Sequence, residues 1–291
     1  MRFLNPFLCV VLLLPSIAIA ETAKLKEIHD TLPVSGSIIA NLLQTHDNTF
    51  LLYPYESNYL LYTWTSSINK EAISSYSWAE GAHQDEVKFQ LSLAFPIWQG
   101  IAGSNSVLAV AYTQGSWWQF SNRKASSPFR ETNYQPQLFI GWATDYQLGD
   151  WTLRDVETGI VHQSNGRSDP TSRSWNRVYA RLMAKNGNLI AEFKPWIRVD
   201  GSSKDDNPDI TRYMGHYRAK LGYQLGDNIF SIQGQYNWNS GYGGAELGWS
   251  YPLTEHVRFY TQLFSGYGES LIDYNHRQTR LGVGITLNDM F

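Results

Sequence analysis

His162, Ser164 and Asn176 are the residues whose types and spacing could do chemistry. If residues 151–163 form a strand, Thr152, Arg154, Val156, Thr158, Ile160 and His162 share one face, and Ser164 continues that row. Residues two apart on a strand face are about 6.5–7 Å apart at Cα, so a serine hydroxyl can reach an imidazole nitrogen. The next strand returns with Asn176, Val178, Ala180 and Leu182 on one face and Arg177, Tyr179 and Arg181 on the other. Asp155, Glu157 and the arginines belong on a wet interior, so the histidine, serine and asparagine share the apolar exterior. Unpaired polar groups are costly there, and a hydrogen-bonded Asn176–His162–Ser164 chain would satisfy them mutually. It would also supply an orienter, a base and a nucleophile in order. An amide in place of a carboxylate orients the imidazole without putting charge in hydrocarbon, at the expense of weaker imidazolium stabilisation. The competing reading is a polar collar where the strand leaves the membrane. The other histidines offer less: His29 and His46 precede the strands, His83 and His276 fall in or beside loops, and His256 opens a strand. His216, with Arg212, Arg218 and Lys220, reads as a lumen residue.

The elements that carry these residues follow a period of two. Val87, Phe89, Leu91, Leu93, Phe95 and Ile97 alternate with Lys88, Gln90, Ser92, Ala94 and Pro96. Leu281, Val283, Ile285 and Leu287 alternate with Arg280, Gly282, Gly284 and Thr286. Alternation alone fits a half-buried soluble sheet. Segments of about 10 residues and an inward set rich in charge favour tilted transmembrane strands. Aromatics at segment ends, including Trp98, Trp117, Trp118, Trp142, Tyr146, Trp151, Trp175, Tyr223, Trp238 and Tyr251, read as interfacial girdles. The pattern predicts an all-β, twelve-stranded antiparallel transmembrane β-barrel. Its strands are 52–65, 85–97, 105–118, 132–147, 151–163, 174–185, 188–199, 212–225, 228–239, 244–253, 256–266 and 277–290. Short turns such as Asn186-Gly187 and Gly226-Asp227 alternate with long connections near 66–84, 119–131, 164–173 and 200–211, so both termini are expected in the periplasm.

Residues 1–20 read as a signal peptide: Arg2, the apolar run Phe7 to Leu14, and Ala18-Ile19-Ala20 before the cut. That run is too short to span a bilayer. Cleavage would remove Cys9, the one cysteine, and with it any disulfide or thiolate chemistry. Residues 21–50 read as a periplasmic N-terminal arm with a helical patch near Ile38 to Leu43, and 51–291 as the barrel. A formal net charge of −3 and the lack of a basic tract argue against a nucleic-acid partner. No G-x-S-x-G, H-E-x-x-H, P-loop or Rossmann signature occurs.

The run from His162 to Arg177 (HQSNGRSDPTSRSWNR) closely resembles the core motif of the bacterial outer membrane phospholipase A family. So do Ser127 to Tyr134 (SPFRETNY), Asp206 to Ile210 (DNPDI), Gln235 to Trp238 (QYNW), Gly241 to Glu246 (GYGGAE) and Gly266 to Tyr274 (GYGESLIDY). The resemblance implies a twelve-stranded barrel of the outer membrane, active at its outer leaflet. It also implies a Ca²⁺-dependent acyl hydrolase that acts as a homodimer on phospholipids and lysophospholipids. By the same resemblance His162, Ser164 and Asn176 are base, nucleophile and orienter. Arg167 through its carbonyl, Asp169 and Ser172 take calcium-ligand positions, and Ser126 is contributed by a partner subunit. Asp169 is the only carboxylate close in sequence, so calcium binding should be weak. Ion-held waters and the Gly166 amide would stabilise an oxyanion. On its own, Asn165 to Pro170 also reads as a tight turn.

Two further readings stand beside this one, a passive porin and a structural anchor. The interior set Asp155, Glu157, Arg177, Arg181, Glu192, Lys194, Arg212, Arg218, Lys220 and Glu246 is expected to pair and plug the lumen. In the third strand Leu108, Val110, Tyr112, Gln114 and Ser116 point outward. Gln114 is then an amide in an apolar row that should seek a partner, and two barrels about a two-fold axis could pair it with its own copy.

Overall fold

Backbone groups in hydrocarbon must be hydrogen-bonded within the protein, so a spanning sheet has to close. The computed structural model describes residues 37–44, 51–199 and 205–287. In it a short helix α1 (Ile38–Leu43) precedes β1 (Tyr53–Pro54), β2 (Tyr59–Thr65), β3 (Asp85–Gln99), β4 (Ser106–Trp118), β5 (Phe129–Leu148), β6 (Trp151–Ser164), β7 (Ser174–Asn186) and β8 (Leu189–Val199). Helix α2 (Ile210–Met214), β9 (Tyr217–Leu225), β10 (Asn228–Asn237), β11 (Tyr242–Pro252), β12 (Arg258–Gly266) and β13 (Gln278–Thr286) follow. From β2 to β13 every strand pairs antiparallel with its sequence neighbour, and β13 pairs with β2, which closes a twelve-stranded barrel. The expected first strand is broken at 55–58. Tyr53–Pro54 pairs with β3 further along the line of β2, and Tyr55 turns inward to donate its hydroxyl to Glu157 Oε1 at 2.6 Å.

The two faces match the expected alternation. Leu91, Ile97, Val110, Leu138, Ile160, Leu221, Leu247 and Leu281 are exposed on the outside, a wall this apolar requiring lipid. Inside, Arg130 joins Glu86 and Asp273, Arg280 joins Glu86 and Glu269, Arg181 joins Glu157, and Arg218 joins Glu56 and Glu192. This paired interior leaves a polar cavity of about 220 Å³, lined in part by Lys88, Gln163, Arg218 and Glu246. Helix α1 occupies the short-turn end of the lumen. Ser37 Oγ and the Ile38 amide donate to Asp155, and Ile39 packs where a side chain at Gly141 would stand. The helical patch of the arm therefore lies within the barrel mouth; the signal segment and the rest of the arm lie outside the described residues.

Several expected positions move. Trp117 and Trp175, assigned to the girdles, point inward at 4% and 2% exposure. Trp98, Tyr146, Tyr223, Trp238 and Tyr251 are exposed as expected. Arg154 is buried beside Asp145, because a bulge between Leu153 and Asp155 shifts the alternation there. Arg212 is in α2 and stacks over Tyr242, and His216 is exposed just before β9, so neither lies in the lumen.

Glu269, on the loop after β12, shows what the interior pairing contributes. Burial raises its carboxyl pKa, but Arg280 and Lys88 outweigh burial and hold it down to about 2. A depressed carboxylate stabilises the fold above its unfolded value and loses that effect as pH falls through the folded one. Glu269→Gln should cost roughly 3 kcal/mol near neutral pH by removing the carboxylate that two buried cations share. Thermal unfolding in detergent should show the difference from wild type shrinking below about pH 4.

Candidate active site on the outer wall

Strand β6 ends at Ser164 and β7 begins at Ser174, with a nine-residue loop between them. Their register sets His162 opposite Asn176 and Ser164 opposite Ser174. Both His162 and Asn176 are exposed on the outer face, at the long-loop end of the barrel. His162 Nδ1 and Asn176 Oδ1 are 2.8 Å apart. An amide oxygen only accepts, so Nδ1 carries the proton and Nε2 is left as the basic nitrogen. Ser164 Oγ makes no hydrogen bond among the described residues, so one half of the expected chain is closed and the other is open. Catalytic hydrogen bonds are often long before substrate arrives.

Below this pair runs an apolar groove on the outer wall. Leu93, Val110, Tyr112, Leu138, Ile160 and Val178 line it, and His162 and Asn176 stand at one end. The groove follows from the register: alternate residues of β3 to β7 all present their side chains to the same side.

The loop 165–173 is built around Asn165. Its Oδ1 accepts from the Arg167 and Arg173 amides at 3.3 and 3.0 Å, and its Nδ2 donates to the Thr171 carbonyl at 2.8 Å. Gly166 is left-handed at φ 64°, and Tyr134 Cε2 would stand 3.1 Å from a Cβ there. The Gly166 amide donates to nothing among the described residues, leaving a free N–H beside Ser164. Arg167 turns its guanidinium away, to Tyr76 Oη at 2.6 Å and to the Phe129 and Arg130 carbonyls, both at 3.0 Å.

Arg167, Asp169 and Ser172 share this loop. Asp169 is exposed, and Ser172 Oγ donates to Asp206 Oδ2 at 2.6 Å, which leaves its lone pairs to face a cation. No cluster of three His, Asp or Glu side chains of metal-binding shape occurs among the described residues. A carboxylate with hydroxyl and carbonyl oxygens is nevertheless a hard donor set that suits Ca²⁺ and not softer ions. Ser126 lies on a different loop, 119–128, where Ser126 and Ser127 are both left-handed, and it hydrogen-bonds to none of these residues. Asp206 stood in the sequence only as part of the DNPDI motif and not as a site residue; the pairing of β7 with β8 is what brings its loop to Ser172.

Gln114 is half-buried on the outer face, as the alternation required, but its amide has partners in its own chain. Tyr112 Oη donates to Gln114 Oε1 at 2.9 Å, and Gln114 Nε2 donates to Ser116 Oγ at 3.3 Å. The amide is therefore not unpaired, and one of its protons stays available.

Fold and site together define a membrane-spanning β-barrel whose outer wall carries a hydrogen-bonded histidine–asparagine pair at one end of an apolar groove, with a serine one strand step away. The chain belongs to the phospholipase A1 family, whose sequence profile matches residues 37–287. It is 69% identical to a phospholipase A1 of Klebsiella pneumoniae and 67% identical to that of Escherichia coli K12, each over the full length of both chains. It superposes on the solved outer membrane phospholipase A from Escherichia coli with a TM-score of 0.87 and 69% identity, over 89% of this chain and all of that one. A Salmonella typhi outer membrane phospholipase, solved as a dimer with bound calcium, gives 0.86 and 68% over the same shares. The chain is thus a phospholipase of the bacterial outer membrane.

Proposed function

We propose that this enzyme hydrolyses acyl esters of phospholipids and lysophospholipids with Ser164 as nucleophile, His162 as base and Asn176 as orienter. The observation that carries this is the 2.8 Å contact of His162 Nδ1 with Asn176 Oδ1, on the apolar wall one strand step from Ser164. With Nδ1 donating to the amide, Nε2 takes the Ser164 hydroxyl proton as Oγ attacks the ester carbonyl. The Gly166 N–H donates to the oxygen that becomes negative. His162 then returns the proton to the departing glycerol oxygen, and water repeats the sequence on the acyl-enzyme. An acyl chain lying in the groove beside Leu138 and Val178 brings its ester to Ser164 from within the outer leaflet. The solved Escherichia coli relative described as an active-site mutant replaces an asparagine with alanine, which supports an asparagine in this role.

Calcium would be held by the Arg167 carbonyl, Asp169 and Ser172, with Ser126 of a second copy completing the shell. When bound it supplies positive charge and oriented water beside the developing oxyanion. Two copies meeting along the wall that carries Gln114 would bring Ser126 to that loop and cover the groove. The calcium-bound dimer of the Salmonella typhi relative supports this reading. The paired lumen and the helix in its mouth speak against a porin.

Hydrolysis of diacyl and lysophospholipids in mixed micelles, with and without a calcium chelator, tests the proposal. Calcium-independent turnover, or single-channel conductance without hydrolysis, would overturn it. Asn176→Ala should lower kcat by about 10²-fold or less, because it misplaces the imidazole without removing it. Asn176→Asp should keep much of the activity.

A further inference from the structure

On the lumen side of the same two strands, the residues between the outer-wall groups are joined to each other. Gln163 lies between His162 and Ser164 on β6, and the alternation turns it inward. Trp175 and Arg177 flank Asn176 on β7 and also turn inward. Gln163 Oε1 accepts from Trp175 Nε1 at 2.8 Å and from Arg177 Nη2 at 3.1 Å. The Arg177 guanidinium lies 3.9 Å from the Trp175 ring centroid and 5.3 Å from that of Trp196, and also donates to Gln135 Oε1 at 3.3 Å. Arg130, Arg181, Arg218 and Arg280 all meet carboxylates inside the barrel. Arg177, at 8% exposure, ion-pairs with none among the described residues, and its Nε has no partner. A buried cation without a counter-ion is costly. Here it is held by two aromatic faces and two neutral amide oxygens, directly behind Asn176.

We propose that Gln163 is a positioning residue for the reaction, clamped by Trp175 and Arg177 so that β6 and β7 hold His162, Asn176 and Ser164 in register. Hydrocarbon on the outer face offers these residues no hydrogen bonds, and the only side-chain bond among the three is His162 to Asn176. Both strands end within two residues of this point, and the bonds just past it, from the Asn165 N–H to the Arg173 carbonyl and from the Arg173 N–H to Asn165 Oδ1, hold the backbone of the loop ends but not the outward side chains. Orientation must therefore be imposed from the lumen, and Gln163 is the side chain on which the inner donors of β7 converge. A single acceptor oxygen thus serves both the indole and the guanidinium.

The inference rests on the Ser164–His162 reading, and the test separates the two. Gln163→Met keeps the volume and loses the acceptor. It should lower kcat by about 10- to 100-fold, the scale of a displacement near 1 Å, with KM changed less than about two-fold. Labelling of Ser164 by a sulfonyl fluoride should slow in parallel. Gln163→Glu keeps both acceptor contacts and should restore kcat to within about three-fold of wild type. Trp175→Phe removes only the Nε1–H, should slow the enzyme less than Gln163→Met, and should add little to it in the double variant. Full activity in Gln163→Met would overturn the clamp, as would equal losses in Gln163→Met and Gln163→Glu. Losses that simply follow melting temperature or calcium-dependent dimerisation would overturn it too. If Ser164→Ala stays active, the underlying reading fails whatever Gln163 does. If Ser164→Ala is inactive and Gln163→Met is not, only the clamp fails.

Discussion

Ser164→Ala should lose phospholipid hydrolysis by about 10⁴-fold or more while the barrel folds and dimerises as before. The size of the effect follows from the chemistry. Without Oγ there is no acyl-enzyme, and the residual rate comes from binding and from the donors around the carbonyl. The fold should not notice: Ser164 Oγ is bonded to nothing among the described residues, and its register with Tyr134 and Ser174 is made by backbone. Heat-modified gel mobility and thermal unfolding should match wild type. His162→Ala should fall almost as far, and the two losses should not add, since the residues act as one unit.

Calcium removal should have the second largest effect. A chelator, or Asp169→Ala, should reduce kcat by about 10²- to 10³-fold, the usual consequence of losing one source of oxyanion stabilisation. Asp169 is exposed on a loop whose fold is set by Asn165, so the substitution should leave stability nearly unchanged. The shared-site arrangement makes a sharper claim. At calcium levels that half-saturate wild type, Ser126→Ala and Ser164→Ala chains should each be weak alone. Mixed and refolded together, they should form hybrid dimers with one complete site and recover about a quarter of wild-type activity by random pairing. No recovery, with dimers present by sedimentation, would place all calcium ligands within one chain.

Much of this arrangement was legible in the sequence because a barrel strand has a strict period of two. Asp155, Glu157, Arg177 and Arg181 had to face a wet interior, so His162 and Asn176 had to face outward, and both do. What alternation could not supply lies where the period stops. The bulge beside Asp155 turned Arg154 inward, and the helix at Ile210 took Arg212 out of the predicted strand. Segment-end aromatics are ambiguous, since Trp117 and Trp175 serve the interior and Trp98 and Trp238 the exterior. The entry of α1 into the lumen and the meeting of Ser172 with Asp206 are long-range contacts. Nothing local in the sequence marks them. The proposed calcium positions were readable only through family resemblance, because one carboxylate among hydroxyls has no spacing signature.

The central claim is that Ser164, activated by His162, is the nucleophile on the lipid-facing wall. It is tested most directly by reacting the calcium-loaded dimer with an alkyl sulfonyl fluoride and locating the adduct by mass spectrometry. Oγ would displace fluoride from sulfur as its proton passes to His162. The expected result is one adduct per chain, on the peptide containing Ser164, formed in proportion to lost activity and absent in His162→Ala. Complete inactivation with Ser164 unmodified, or equal labelling of Ser164 in His162→Ala, would contradict the account.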